Sequence, residues 1–436
     1  MESCPAPAVA VVDEQGHVRV EPPFTRDSVA LHDVRLLRLP GFINAHSHAF
    51  QRALRGRVER RSATHPHDDF WAWREAMYAD ANAVSVDDME ALAAWAFLDM
   101  LRAGFVVVGE FHYVHADVDG DRLAMARALV RAARRVGMEL VLLPTAYARA
   151  GFDRAALVGQ RRFVFPTVAS FLRHVDDART LAGPGVSVGV AVHSVRACPA
   201  DWIREVAAYA RDHRLPLHVH ACEQQRELQE CATEHGCSPI ALLDRCGALS
   251  PATTLIHATH LDDDDIARIA AAGATVCITP STERNLGDGL GRTADLQAAG
   301  VPLCIGTDSH ARIDVVDELR SLEDHERLRL QRRNVLVAPG GRLAEALLPA
   351  GTRHGRRSLF LPADGSTVDV SMPLEGRAGH PAHGLDAWLV GGSSRDVVRV
   401  ARGEAVLVGD AAGLVDRDRS IEDAALSTLR RLQVGA

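Results

Sequence analysis

From residue 41 onward, short apolar runs rich in Val, Ile and Leu alternate with longer stretches whose apolar residues recur at helical spacing. Eight of the short runs read as strands: GFINAHSH, GFVVVGEFH, ELVLLPTAY, VSVGVAVHS, PLHVHACE, TTLIHATH, TVCITP and PLCIGTDS. Between them, stretches such as DDMEALAAWAFLDMLRA (87–103) and PADWIREVAAYARDHR (199–214) predict crossover helices. Strands that alternate with helices in this way predict an α/β fold, a TIM-like (β/α)8 barrel over residues 41–365. The chain ends, 1–40 and 366–436, carry the strand candidates VAVVD, HVRV, AWLVGG, VVRVARG and AVLVGD with turn glycines. Together they predict one small β domain flanking the barrel.

Polar residues concentrate where the apolar runs end: His112 after FVVVGEF, His193 after VGVAV, Asp308 after LCIGT. That is the face at which barrels of this kind carry their active sites. His46 and His48 close the first run, and positions i and i+2 of a strand point the same way. Such a pair alone fits surface or core histidines as well as metal ligands. The fifth run adds His218 and His220, the sixth His257 and His260, and the eighth Asp308. In a closed barrel all converge on one mouth.

His46, His48, His220 and Asp308 are the candidate ligands. Imidazole nitrogens with one carboxylate at ~2.0–2.2 Å describe a catalytic zinc site that keeps one position open. Zinc is the expected ion, although such ligands also accept iron or manganese. An ion so held brings the pKa of water toward ~7, which implies hydrolysis. Glu223 follows His220 closely enough to reach the mouth. It reads as a proton shuttle or as a first-turn helix carboxylate. His257 reads equally as a catalytic group or as a buried histidine with satisfied hydrogen bonds.

Composition narrows the partners. The 436 residues are 47% hydrophobic, enough for a large core, and the net charge of -8 argues against a general nucleic-acid surface. An anionic ligand must then be held by local arginines. No apolar run approaches the ~18 residues of a membrane span, and the N-terminus lacks the basic segment and apolar stretch of a secretion signal. A cytoplasmic protein without a membrane partner is expected. The eight cysteines contain no CxxC pair and read as reduced and structural.

Taken together, these motifs are similar to those of the amidohydrolase superfamily, in its mononuclear-metal deaminase branch; the fourth strand offers no lysine to bridge a second metal. More specifically, GFINAHSHAFQRALRGR, DDFWAWREAMY, GEFHYVH, GQRRF, HSVRA, HVHACEQ, HATHL, TPSTERNLGDG and GTDSHA resemble the formimidoylglutamate deiminases of histidine degradation, over about residues 40 to 335. The resemblance implies hydrolysis of N-formimidoyl-L-glutamate to N-formyl-L-glutamate and ammonia. It implies that His257 and Asp308 orient or deprotonate the attacking water and that Glu223 delivers a proton to the departing nitrogen. It assigns Gln51 to the substrate near the metal, and Arg74, Tyr113, His193 and Arg196 to the substrate carboxylates. A homodimer is implied as well.

Local sequence leaves some positions open. Arg74 also reads as a surface ion pair, Trp71 and Trp73 read as core packing, and Ser281 and Glu283 either support the mouth or cap the next helix. Family members re-enter the β domain through an acidic ADLVVLD-like strand, to which STVDVSMPLEG and GLDAWLVGG are poorly similar. A competing enzyme reading is a deaminase of a purine, pterin or related cyclic amidine, whose pocket would favour stacking over two guanidinium groups. A catalytically dead scaffold would have lost ligands, and all four are present.

Overall fold

A computed structural model describes residues 8–13, 18–20, 34–59, 70–371, 384–410 and 413–434. All eight expected runs form strands: β1 (Phe42–Ser47), β2 (Phe105–His112), β3 (Glu139–Ala146), β4 (Val186–Val188 and Val190–Ser194), β5 (Leu217–Ala221), β6 (Thr253–His257), β7 (Thr275–Ile278) and β8 (Leu303–Ile305). They pair in parallel in chain order. β4 breaks at Gly189, where a side chain would meet Leu143 at 2.7 Å and Pro216 at 2.8 Å. The crossover helices include Val86–Arg102 and Ala200–His213. Ser85 caps the first of these, accepting from the Asp88 N–H while Asp88 accepts from the Ser85 N–H.

The barrel closes through a short seam between β1 and the end of β8. The His48 N–H donates to the Asp308 carbonyl and the Asp308 N–H to the His46 carbonyl, both at 3.0 Å. Beneath them the Asn44 side chain donates to Thr307 Oγ1 at 2.7 Å and accepts from the Thr307 N–H at 3.0 Å. Strand pairing and three of the four candidate ligands therefore share one stretch of backbone.

The chain ends build a six-stranded sheet in the order Ala405–Val408, Val397–Arg402, Ser366–Ser371, Val34–Pro40, Ala8–Val12, Val18–Val20. Its contents differ from expectation in three places. AWLVGG is not a strand but part of the helix Gly384–Gly391. Leu385, Trp388 and Leu389 are buried at helical i, i+3, i+4 spacing, and Trp388 stacks on Phe42 of β1 at 6.2 Å. STVDVS, poorly similar to the family strand, nevertheless forms the central strand Ser366–Ser371, flanked by Val34–Pro40 and Val397–Arg402; the rest of that motif, 372–376, lies outside the described residues.

The third difference is the chain end, which is a helix, Leu414–Val434, set against Val86–Arg102. Arg102 joins Glu422 at 2.6 Å and Asp418 at 3.1 Å, and Arg431 pairs with Asp88. Seven cysteines are free thiols, while Cys4 and the first residue of HVRV lie outside the described residues. Among the described residues no helix is long and apolar enough to cross a membrane.

The seam leaves no room at Gly306, where a Cβ would meet the Cβ and the carbonyl oxygen of His46 at 2.8 Å each. Gly306→Ala is expected to lower unfolding free energy by the ~1–3 kcal/mol of an overpacked core. It is also expected to reduce bound metal, because the backbone that must shift carries His46. Urea denaturation beside elemental analysis checks both.

Candidate active site

His46 lies on β1, His48 just past it, His220 on β5, and Asp308 beyond β8; their donor atoms all fall within 4.8 Å of one another. His48 Nδ1 faces the Phe111 carbonyl at 2.8 Å and His220 Nδ1 the His193 carbonyl at 2.9 Å. A carbonyl only accepts, so each Nδ1 carries the proton and each Nε2 turns a lone pair to the shared centre. His220 Nε2 stands 3.1 Å from His46 Nε2, and Asp308 Oδ1 stands 3.3 Å from the Nε2 of both His46 and His48. Four donors set tetrahedrally ~2.0–2.2 Å from one ion stand roughly 3.3–3.6 Å apart, so this donor set fits a divalent metal.

Electrostatics agree with that fit. Burial brings His46 down to about 3 against the pull of Asp308, and burial likewise lowers His48 and His220, so the rings are neutral, as metal ligation requires. Burial works against the Asp308 charge, yet the surrounding histidines hold its carboxyl well below the usual range. His257 behaves oppositely. Burial opposes its charge, but Glu223, Glu283 and Asp308 lift it to about 10. Its Nε2 lies 3.8 Å from both Glu223 Oε1 and Asp308 Oδ2, and its Nδ1 lies 3.0 Å from Thr279 Oγ1. Asp308 and His257 adopt φ of +47° and +69°, a left-handed conformation that non-glycine residues hold only under tertiary constraint.

The cavity above this centre is lined by the seven other residues to which the resemblance assigned a catalytic or substrate role: Gln51, Arg74, Tyr113, His193, Arg196, Glu223 and His257. His218 and His260, expected at the same mouth, do not line it: His218 Nε2 faces the Ser358 carbonyl at 2.9 Å and His260 Nδ1 faces the Gln225 amide at 2.8 Å. Gln51 Nε2 donates to the Tyr113 hydroxyl at 2.8 Å. Arg196 is buried; its Nη2 donates to Glu223 at 3.3 Å and its Nε faces Glu227 at 3.9 Å. Among the described residues, Arg196 Nε and Nη1 and Gln51 Oε1 have no hydrogen-bond partner. Arg74 is half-buried on the helix Phe70–Ala83, lies over Trp71 at 4.5 Å and makes no ion pair among the described residues. Trp73, expected in the core, is half-buried, packs against the core and also lines the cavity with Phe70, Met77 and Tyr78 of the same helix. Phe70, Arg74 and Met77 are one helical face.

Glu283 does both things open to it, accepting from the Thr279 N–H at 3.0 Å and reaching His257 Nδ1 at 3.5 Å. The Ser281 side chain does neither; its N–H donates to Glu318 at 3.0 Å. Sequence reasoning passed over Glu110 of β2, which accepts from the Ala49 N–H at 2.8 Å and from Ser47 Oγ and so braces the turn between the two histidines. Its place at the end of GFVVVGEFH was the available signal.

Comparison with known proteins agrees with this geometry. A profile of the amidohydrolase family matches residues 37–361. Formimidoylglutamate deiminase of Pseudomonas aeruginosa is 39% identical over 380 residues, 82% of this chain and 82% of that protein. The 5-methylthioadenosine/S-adenosylhomocysteine deaminase of Haloarcula marismortui is 27% identical over 88% of this chain and 82% of its own. Among solved structures, an amidohydrolase from Brucella melitensis superposes with a TM-score of 0.86 at 33% identity, covering 98% of this chain and 99% of that one. An adenosine deaminase from Xanthomonas campestris shares the fold at a TM-score of 0.74 and 19% identity, covering 96% of this chain and 98% of that one. With its barrel, its divalent-metal centre and these relatives in agreement, the chain belongs to the amidohydrolase family.

Proposed function

We propose that this enzyme hydrolyses N-formimidoyl-L-glutamate to N-formyl-L-glutamate and ammonia, in histidine degradation. One observation carries the reading: Arg74 and Arg196 line the same cavity as the His46, His48, His220 and Asp308 cluster. A linear amidine with two carboxylates matches that combination, whereas a purine or pterin leaves guanidinium groups in the cavity without anions. The Pseudomonas relative supports it by its name.

His46, His48, His220 and Asp308 are the residues that would hold the metal, with zinc the ion favoured by three imidazoles and one carboxylate. Bound there, the ion supplies Lewis-acid activation of water near neutral pH. Arg74, Arg196, Tyr113 and His193 take the carboxylates, and Gln51 takes the formimidoyl end. His257, fixed through Nδ1 by Thr279 and Glu283, orients the water with Asp308. Glu223 accepts a proton from the water and passes it to the departing nitrogen. Water oxygen joins the formimidoyl carbon, the bond to the terminal nitrogen breaks, and ammonia leaves. The proposal includes a barrel domain of 41–365 with a flanking domain from 1–40 and 366–436, a homodimer and a cytoplasmic location, carried by the sequence analysis.

The deciding experiment is ammonia release from N-formimidoyl-L-glutamate beside guanine and S-adenosylhomocysteine. Turnover of the formimidoyl compound alone is expected, and preference for either purine compound rejects the reading. In the same assay Glu223→Gln is expected to keep its metal and lose ~100-fold to 10,000-fold in rate. Elemental analysis of His220→Ala is expected to show sharply reduced metal; unchanged stoichiometry overturns that ligand. Hydrogen bonds to charged groups contribute ~1.5–3 kcal/mol, so Arg74→Met or Arg196→Met is expected to lower kcat/KM by roughly 10-fold to over 100-fold. The preference for formimidoylglutamate over a formimidoyl amino acid without the side-chain carboxylate is expected to narrow, as paired steady-state measurements will reveal.

A further inference from the structure

The two cavity arginines come from different elements, Arg74 from the helix Phe70–Ala83 and Arg196 from the segment after β4. One side chain touches both. The guanidinium of Arg74 lies 4.5 Å from the centre of the Trp71 ring, and that of Arg196 lies 5.7 Å from it. A third guanidinium, that of Arg226 on the helix Gln225–His235, lies 4.6 Å from the same ring and is tied to Glu230 at 2.8 Å. Phe70 meets Trp71 edge-on at 5.1 Å and stands 5.5 Å from Arg196.

Trp71 itself is not among the residues lining the cavity, whereas Arg74 and Arg196 are. Indole is the strongest aromatic partner for a cation. It also suits this place chemically, because it attracts a guanidinium without using up its N–H donors. A carboxylate partner would satisfy those donors and compete with the substrate. Arg74 makes no ion pair among the described residues, so the ring is its principal anchor.

Resting on the proposed function, we propose that Trp71 is a positioning residue: it holds Arg74 and Arg196 at the separation that two carboxylates of one substrate require. Arg226 pins the same ring to the barrel from a third element. Which carboxylate spacing the enzyme accepts is then set by a residue that the substrate does not touch.

The test compares the parent, Trp71→Leu and Trp71→Phe, all metal-loaded, on N-formimidoyl-L-glutamate, on its aspartate analogue one methylene shorter, and on N-butylformamidine, which has the amidine without carboxylates. For Trp71→Leu, KM for the glutamate compound is expected to rise roughly 5-fold to 30-fold, the worth of a partly desolvated cation–π contact. The glutamate-to-aspartate ratio of kcat/KM is expected to fall, and turnover of N-butylformamidine to stay within about twofold of the parent. Trp71→Phe, which keeps a ring face, is expected to recover most of the loss. Equal losses on all three compounds in Trp71→Leu assign Trp71 a merely structural role and overturn the inference, as does an unchanged glutamate-to-aspartate ratio. A parent no better on formimidoylglutamate than on N-butylformamidine removes the proposed function and this inference together, which separates the two failures.

Discussion

The seam between β1 and β8 is the constraint on which the rest of the molecule depends. Two backbone hydrogen bonds, from His48 to Asp308 and from Asp308 to His46, close the barrel at the residues whose side chains converge on one point. Closure and ligand geometry are therefore one condition. A slip of one residue in this register would turn both histidines to the other face, losing the site and the barrel together. Asn44 and Thr307 guard that register with a reciprocal pair of hydrogen bonds below the ligands, and Gly306 permits the approach.

Such a site carries an energetic cost. Neutral imidazoles crowd around a buried carboxylate, with His46 Nδ1 lacking a hydrogen-bond partner among the described residues and Asp308 and His257 held at positive φ. Unpaired buried polar groups cost ~1–3 kcal/mol each, and a strained backbone residue a similar amount. The surrounding core offsets this: Phe111 packs against His46 and His220 at 5.1 and 4.3 Å, and Glu110 braces the turn above. The strain thus sits where four apolar strands end, with a rigid floor beneath it.

How much of this was legible in the sequence follows from the range of each signal. The barrel strands were legible because each is a local apolar run that ends in a polar group. The cluster of candidate ligands was legible because a barrel brings all strand ends to one place whatever the helices do. AWLVGG misled because six apolar or small residues fit a strand as well as a helix, and only burial of Leu385, Trp388 and Leu389 on one side decides between them. The terminal helix was hidden behind strand candidates on its own side of the chain. Trp71 misled differently: an aromatic side chain reads as core until a neighbouring element supplies arginines, and Arg196 and Arg226 lie far along the chain.

The same long-range placement explains how an acidic protein handles an anionic ligand. Arg196 is buried, where an unpaired cation would be prohibitively costly, so Glu223 and Glu227 stand beside it. Two carboxylates would over-satisfy it if both formed close bonds. Instead one lies at 3.3 Å and the other at 3.9 Å, and among the described residues Nε and Nη1 keep their donors unpaired. Glu227, with neither oxygen hydrogen-bonded among the described residues, faces Arg196 without a close bond, and burial raises it to about 7 against the pull of Arg196. On the proposed reading, a substrate carboxylate completes this arrangement and a neutral analogue leaves it incomplete. Pockets built to hydrogen-bond a group reject analogues without it far more strongly than pockets built on shape, because the loss falls on buried donors. On the same reading, selectivity resides in the donors that the protein leaves unspent.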